Sequence, residues 1–408
     1  MPERKKVQKI LILKNGLLID GTGKDPIKDS YVVIKGNKIE KIGTGKIAIK
    51  NSEIIDVDGK TMMPGMIELH AHMRWVRTDE TVNEGDLALI SAHALKQSLE
   101  KGITTVRSLG EYSKTAFSIK RAQAKGLFLG SRVRVCGSLI ASTGGHGNTV
   151  ADGPWECRKK VREYISLGAD HIKIGTTHRP WRGLQGYNDE ELKALVEETH
   201  KYGKKITCHA AMMPGMAQAI NAGVDIIEHG PSEFPFEIDS ETIKLMIDSG
   251  VWWNPTLWGL VHEKSPEELA EMETWWEKGP WDAELEEKWM MHDVKKYAPI
   301  NFKKCISEGM KKIATGTDTF GDYRHQSFGQ SPEEAILFVK YGMPPLEAIK
   351  AATLNGALAY GEENSIGSIE KGKLADIIIV DGDPSKDITV LRKVKFILLD
   401  GTIYKNEL

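Results

Sequence analysis

HIKIG (171–175), NDEELKALVEETHKYG (188–203) and KITCH (205–209) follow one another along the chain. Two short apolar runs flank one amphipathic stretch, the pattern of a strand–helix–strand unit with parallel strands. The helical stretch offers Asn188 as an N-cap, acids in its first turn and Gly203 to close it. The same alternation recurs on both sides. MIELH (66–70), ITTVRS (103–108) and RVRVCGS (132–138) precede the unit, and VDIIEH (224–229), VWWNP (251–255) and KIATG (312–316) follow it. Eight candidate strands, most separated by room for one helix, predict an α/β fold built on a (β/α)₈ barrel.

The chain ends read differently. KILILKNGLLID, DSYVVIKGNKIEKIG and SEIIDVDGKTMMP near the start alternate apolar and polar residues and break at Asn-Gly, Gly-Asn and Asp-Gly. GSIEKGKLADIIIVDGD and VKFILLDGTIYK near the end behave alike. Both ends are therefore expected to be β-rich. The gap from Pro255 to Gly316 is longer than the others and holds Trp258, Trp275, Trp276, Trp281 and Trp289. It reads either as extra helices packing aromatics on the barrel or as a lid over a site.

Composition removes several function classes. A hydrophobic content of 40% excludes disorder, and 55 Lys+Arg against 57 Asp+Glu leave no basic excess to grip nucleic acid. Cys136, Cys157, Cys208 and Cys305 lie far apart with no Cys-x-x-Cys, against a disulfide framework and in favour of a reducing, cytoplasmic setting. The basic N-terminus lacks the apolar core of a signal peptide, and no run is long enough to span a membrane.

Chemistry gathers where the strands end. The first runs into His70-Ala71-His72, the fourth carries Lys173, the fifth ends at His209, the sixth at His229, and Asp318 lies just past the eighth. In such a barrel the C-terminal strand ends form one face, where sites are built. Residues i and i+2 of a strand point the same way, so His70 and His72 can reach one ion. Imidazole and carboxylate suit Zn²⁺. Lys173, between Ile172 and Ile174, is costly to keep charged, so its pKa should fall. A neutral amine can take up CO₂ as a carbamate able to bridge two cations. A lone His-x-His, strand lysine or Gly-Thr-Asp could each be packing, a snorkelling surface residue or a turn; their placement together points to a metal site.

The chain resembles the amidohydrolase superfamily, in its imidazolonepropionase-like and Xaa-Pro dipeptidase-like branch. MMPGMIELHAHM resembles that family's opening signature, and GITTVRSLG, STGGHG, GADHIKIG, CHAAMMPGMAQAINAGVDIIEHG, ATGTDTF, GMPPLEAIKAATLNGALAYG and GSIEKGKLADIIIVDGDP follow in the family's order. The resemblance implies a distorted (β/α)₈ TIM barrel over 64–360 beside a β-sandwich built from 1–63 and 361–408. It implies two divalent ions, Zn²⁺ by expectation. His70, His72 and Asp318 would hold one, His209 and His229 the other, with a carbamylated Lys173 and a hydroxide bridging them. It also implies a homo-oligomer.

The expected reaction is hydrolysis of an amide bond, in a dipeptide or N-acyl amino acid, by the metal-bridging hydroxide. Carbamates, ureas or cyclic amides are the alternative substrates. Asp318 would carry the proton. His146, in the glycine-rich loop after the third strand, would hold the substrate carbonyl or carboxylate, or else only cap its loop. His178, Arg179 and Arg182 could bind a substrate carboxylate, Arg offering a fork, or be solvated loop charge. A mononuclear deaminase is disfavoured because Met212 stands where family deaminases place a glutamate. A non-catalytic scaffold is disfavoured because every candidate ligand is present. Arg107-Ser108, where many relatives have Arg-Asp, reads as a change in a substrate loop.

Overall fold

The computed structural model describes residues 9–73, 83–111, 114–147, 149–176, 186–262, 283–320 and 328–408, excluding the side chains of 283–292. Strands β1 (Ile10–Leu18), β2 (Ile27–Lys35), β3 (Lys38–Thr44), β4 (Ser52–Asp56) and β5 (Thr61–Pro64) open the chain. β6 (Met66–His72), β7 (Ile103–Ser108), β8 (Arg132–Val135), β9 (Ile140–Ala141), β10 (Thr149–Val150), β11 (His171–Gly175), β12 (Lys205–His209), β13 (Ile226–Glu228), β14 (Trp252–Asn254) and β15 (Thr319–Phe320) form the middle. β16 (Ile377–Val380), β17 (Val394–Leu399) and β18 (Thr402–Asn406) end it.

The first and last groups share one sheet, ordered β18-β17-β16-β5-β1-β2-β3 with β4 beside β1. Its two halves meet where β16 pairs antiparallel with β5, Ile377 opposite Pro64. The alternation seen in the sequence puts Leu11, Leu13, Val32, Ile34, Ile377, Ile379, Phe396 and Leu398 into one apolar cluster. Ile12, Tyr31 and Val33 point to the other face and form a second cluster. The chain ends thus make the expected β-sandwich.

The middle strands close a ring. β6, β7 and β8 pair in parallel, and Asp170 N–H donates to Val135 O at 2.7 Å where β11 begins. β11, β12, β13 and β14 continue in parallel. Trp253 bridges to Ile313, and Leu69 N–H donates to Thr315 O at 3.1 Å, so residues 313–315 close the circle onto β6. Seven of the eight expected strands are staves of this distorted (β/α)₈ barrel, while KIATG (312–316) joins it only through the Ile313 bridge and the Thr315 carbonyl and forms no strand of its own. Ile172, Ile174, Ile206, Cys208, Ile227 and Trp253 belong to the core packed beneath the helices. The residues alternating with them, including Lys173, Thr207 and Glu228, are buried and polar.

The helix Asp189–Lys201 forms as its sequence dictates. The Asn188 side chain accepts from Glu191 N–H, and the Glu191 carboxylate accepts from Asn188 N–H, each at 2.9 Å. Its buried face is Leu192, Leu195, Val196 and Thr199. In the long gap, the helices Leu257–Val261 and Ala283–Ser307 supply the extra helical structure. Trp253 is fully buried and its indole N–H donates to His229 O at 2.9 Å, so it packs rather than covers. Trp275, Trp276 and Trp281 lie outside the described residues. No helix among the described residues is long and apolar enough to cross a membrane, and all four cysteines are free and buried.

Candidate metal centre

The ends of β6, β12 and β13, with the turn after residue 316, bring the expected residues together. The rings of His72, His70, His229, His209 and His146 form a row, with successive centroids 5.5, 4.7, 4.6 and 4.4 Å apart. Asp318 Oδ1 lies 3.3 Å from both His70 Nε2 and His72 Nε2. One ligand atom each from His70, His229 and Asp318 falls within 4.8 Å of the others. Lys173 is 1% exposed, and its Nζ has no hydrogen-bond partner.

Local backbone aims these groups. His229 (φ 62°), Thr256 (φ 53°) and Asp318 (φ 54°) each adopt the left-handed region just past a barrel strand. For non-glycine residues this costs on the order of 1–3 kcal/mol each, and such strain clusters at functional sites. The Asp318 turn is held by its own N–H donating to His70 O at 2.8 Å. Two glycines let loops approach. A Cβ on Gly175 would sit 2.6 Å from His146 O, and one on Gly259 would sit 2.8 Å from Thr317 O.

The hydrogen-bond network assigns the imidazole tautomers. His72 Nδ1–H donates to Gly110 O at 2.9 Å, an acceptor only. The Thr256 hydroxyl donates to Pro255 O at 2.8 Å, so it accepts from His229 Nδ1–H at 2.7 Å. His70 Nδ1–H donates to Glu228 Oε2 at 2.8 Å. In each of these three rings Nδ1 is engaged away from the site, so Nε2 is the nitrogen left to bind a cation.

Electrostatics favour that role at His70, His209 and His229. Burial, then the Lys173 charge, holds His70 well below the ordinary histidine value. Burial, then His146, does the same to His209, and burial brings His229 down to about 4. Burial lowers the Lys173 amine as the sequence led one to expect. For Asp318, burial pushes upward, but His70, His72 and His229 outweigh it and hold the carboxyl far below its usual range. His72 runs the other way: burial pushes its pKa down, but the Asp318 carboxylate beside it, with Glu111, outweighs burial and raises it. The site thus offers three buried imidazoles held neutral, a fourth that shares its proton with an ionised carboxylate, and an unpartnered buried amine, a donor set that fits divalent cations.

Several residues were missed from sequence. Glu228, fully buried, accepts from the Arg107 guanidinium and the Thr207 hydroxyl as well as from His70. Arg107 is 1% exposed, inside the barrel, and its Nε–H donates to Leu69 O at 2.6 Å. The reading of Arg107-Ser108 as a substrate-loop change is therefore corrected: Ser108 ends β7, and its hydroxyl donates to the buried Glu111 carboxylate, which also takes Met73 N–H at 3.0 Å. Glu68 accepts from His70 N–H, Thr317 and Ser331, and burial raises its carboxyl to about 7. Glu233 Oε1 stands 3.3 Å from His229 Nδ1, and burial lifts its carboxyl to about 8. One signal was available: Glu68 continues the His70/His72 spacing one step back along the same face of β6. His178, Arg179 and Arg182 lie outside the described residues.

Known proteins resemble this chain in sequence and fold. The amidohydrolase family model matches residues 61–405. An ochratoxinase of Aspergillus niger is 27% identical over 436 residues, covering 95% of this chain and 84% of its own. An imidazolonepropionase of Thermoanaerobacter pseudethanolicus is 23% identical, covering 88% and 85%. A Xaa-Pro dipeptidase crystallised with methionine in its active site superposes with a TM-score of 0.82 at 30% identity, covering 98% of this chain and 100% of that one. With the fold and family order both matched over most of its length, the chain belongs to the amidohydrolase family.

Proposed function

We propose that the chain hydrolyses an amide bond in a dipeptide or N-acyl amino acid at a centre of two divalent ions, Zn²⁺ by preference. His70, His72 and Asp318 would hold one ion, His209 and His229 the other, and Lys173, as its CO₂-derived carbamate, would stand between them. The barrel over 64–360 would carry the chemistry, with 1–63 and 361–408 as the sandwich. The observation that carries the reading is the row of buried imidazoles ending beside an ionised Asp318, with the Lys173 amine buried and unpartnered within the same barrel. Glu228 is already engaged by three donors, so no bonded carboxylate stabilises Lys173 as an ammonium.

Bound divalent ions would lower the pKa of a water and polarise the scissile carbonyl. The chain's own residues do the rest. Asp318, ionised at neutral pH, takes the proton of the attacking water at Oδ1 and passes it to the departing amine. Help of this kind is worth roughly 10²–10⁴ in rate. His146, next to His209 at one end of the ring row, would orient the carbonyl or carboxylate of the substrate. The family relationship to an ochratoxinase and a Xaa-Pro dipeptidase supports the substrate class.

The test is a screen of the zinc-loaded protein against dipeptides and N-acyl amino acids, reading freed amino acid. Release from a defined subset is expected. No release, with two ions bound per chain, would overturn the substrate class and move the reading to carbamates, ureas or cyclic amides, the last being nearer the imidazolonepropionase relative.

A further inference from the structure

The His70 ring is aimed from behind by a relay crossing the barrel. Glu228, at the end of β13, presents Oε2 to His70 Nδ1 at 2.8 Å. Its Oε1 takes two donors, the Arg107 Nη2–H from β7 and the Thr207 hydroxyl from β12. Arg107 is in turn fixed by its Nε–H on Leu69 O at 2.6 Å, one residue before His70. Every group in the relay is at most 1% exposed, so no water competes for these bonds. Two carboxylates compete for the His70 proton, Glu228 Oε2 at 2.8 Å from Nδ1 and Asp318 Oδ1 at 3.3 Å from Nε2, and the shorter, fully buried contact to Glu228 wins. Its proton sits on Nδ1, and Nε2 is free to face Asp318.

The three mapped imidazoles differ in what fixes them. His72 uses a backbone carbonyl and His229 a threonine hydroxyl. Only His70 relies on a carboxyl side chain that itself takes two further donors. We infer that Glu228 is a positioning residue that fixes His70 as the Nε2-binding tautomer, and that Arg107 and Thr207 set which way Glu228 can serve it. The inference rests on the proposed metal role of His70, but the tautomer can be read without any metal.

Glu228→Gln gives a directional test. With Arg107 and Thr207 both donating, the glutamine oxygen must face them, which turns its NH₂ toward His70. That NH₂ donates to Nδ1 and drives the proton to Nε2, where a cation would bind. Removing the competing donor, as in Arg107→Met combined with Glu228→Gln, lets the amide turn over. Thr207 can then donate to Ile226 O, already 3.3 Å away, and accept from the amide. The correct tautomer should return.

The experiment is ¹⁵N NMR of histidine-labelled, metal-free protein, with the His70 signals assigned by their loss in His70→Gln, alongside Zn²⁺ titration against a chromophoric chelator. Wild type should show Nδ1–H at His70, Glu228→Gln should show Nε2–H, and the double variant should show Nδ1–H again. Zn²⁺ affinity should fall roughly 10–100-fold in the single variant and recover in the double, the range seen for outer-shell ligand partners. A merely structural Glu228 would leave the double variant no better than the single. That result, or Nε2–H at His70 in the wild type, would overturn the inference. The wild-type spectrum decides even if Glu228→Gln fails to fold. A chain with the expected tautomer that hydrolyses nothing would sink the proposed function and leave this inference standing.

Discussion

The two interiors of this molecule are built on opposite terms. Inside the sandwich, Leu13, Val32, Ile34, Ile379, Phe396 and Leu398 pack into one apolar cluster. Inside the barrel, Glu68, His70, Arg107, His171, Lys173 and Glu228 are equally buried. Apolar burial stabilises by about 25 cal/mol per Å² and is indifferent to small changes of direction. A buried ion pair costs several kcal/mol per ion in desolvation, returned only when geometry and hydrogen bonds are nearly ideal. Arg107, Glu228 and Thr207 therefore contribute direction more than stability. The contrast teaches that one chain can hold strain and charge at the barrel mouth because an apolar body stands beside it.

The largest expected effect comes from removing the unpartnered amine. Lys173→Met keeps the volume and takes away a buried polar atom that makes no hydrogen bond. The metal-free variant should be no less stable than wild type, since burying an unsatisfied polar group is itself costly. Bound metal should fall below two ions per chain, and hydrolysis should drop beyond the roughly 10–100-fold that an outer-shell residue carries. Plasma emission spectrometry of the dialysed protein and an activity assay check both. Full activity with two ions bound would end the carbamate role of Lys173.

The sandwich should respond in the opposite sense. Phe396 is fully buried on β17. Phe396→Ala should cost about 3–5 kcal/mol through lost burial and the cavity left behind. Metal content and turnover per folded molecule should be unchanged. Urea denaturation and metal analysis on the same sample test the pair of claims. A fall in metal content at full folding would show that the two interiors are coupled, and Arg132, joined to Asp376 at 2.5 Å across the seam, would be the first residue to examine.

What the sequence revealed follows the same division. The sandwich strands announced themselves because apolar alternation at period two reports one face toward a core, and the barrel staves because short apolar runs recur between amphipathic helical stretches. The histidines, Lys173 and Asp318 were legible because strand ends in a barrel share one face. Arg107 and Glu228 were not, because a charged residue in a strand ordinarily reads as solvent-facing, and only pairing across β7, β12 and β13 makes burial tolerable. Ser108 was misplaced for a related reason. Its partner Glu111 follows in a turn after the strand, and sequence alone does not say that this carboxylate folds back to meet it.

The smallest effect concerns a single cation belonging to neither interior. Lys101 follows the helix Glu84–Glu100, and its Nζ donates to Phe328 O at 2.9 Å. Burial brings its amine down to about 8 from an ordinary 10.5, with Glu333 opposing. Because the folded form releases its proton first, the unfolded chain binds more protons between pH 8 and 10.5. Stability from this group therefore rises with pH across that window, and its cost is fully present below pH 8. Lys101→Met removes the titration while sacrificing a hydrogen bond worth about 1 kcal/mol. Other lysines, tyrosines and thiols also titrate there, so the useful quantity is the difference between variant and wild type. Urea midpoints at pH 7, 8, 9 and 10 should show the variant's relative stability declining from pH 8 upward. One proton limits that decline to about 1.4 kcal/mol per pH unit. A constant difference would mean that Lys101 keeps its ordinary pKa, and that the space around it is open enough to hydrate a charge the barrel interior can hold only in pairs.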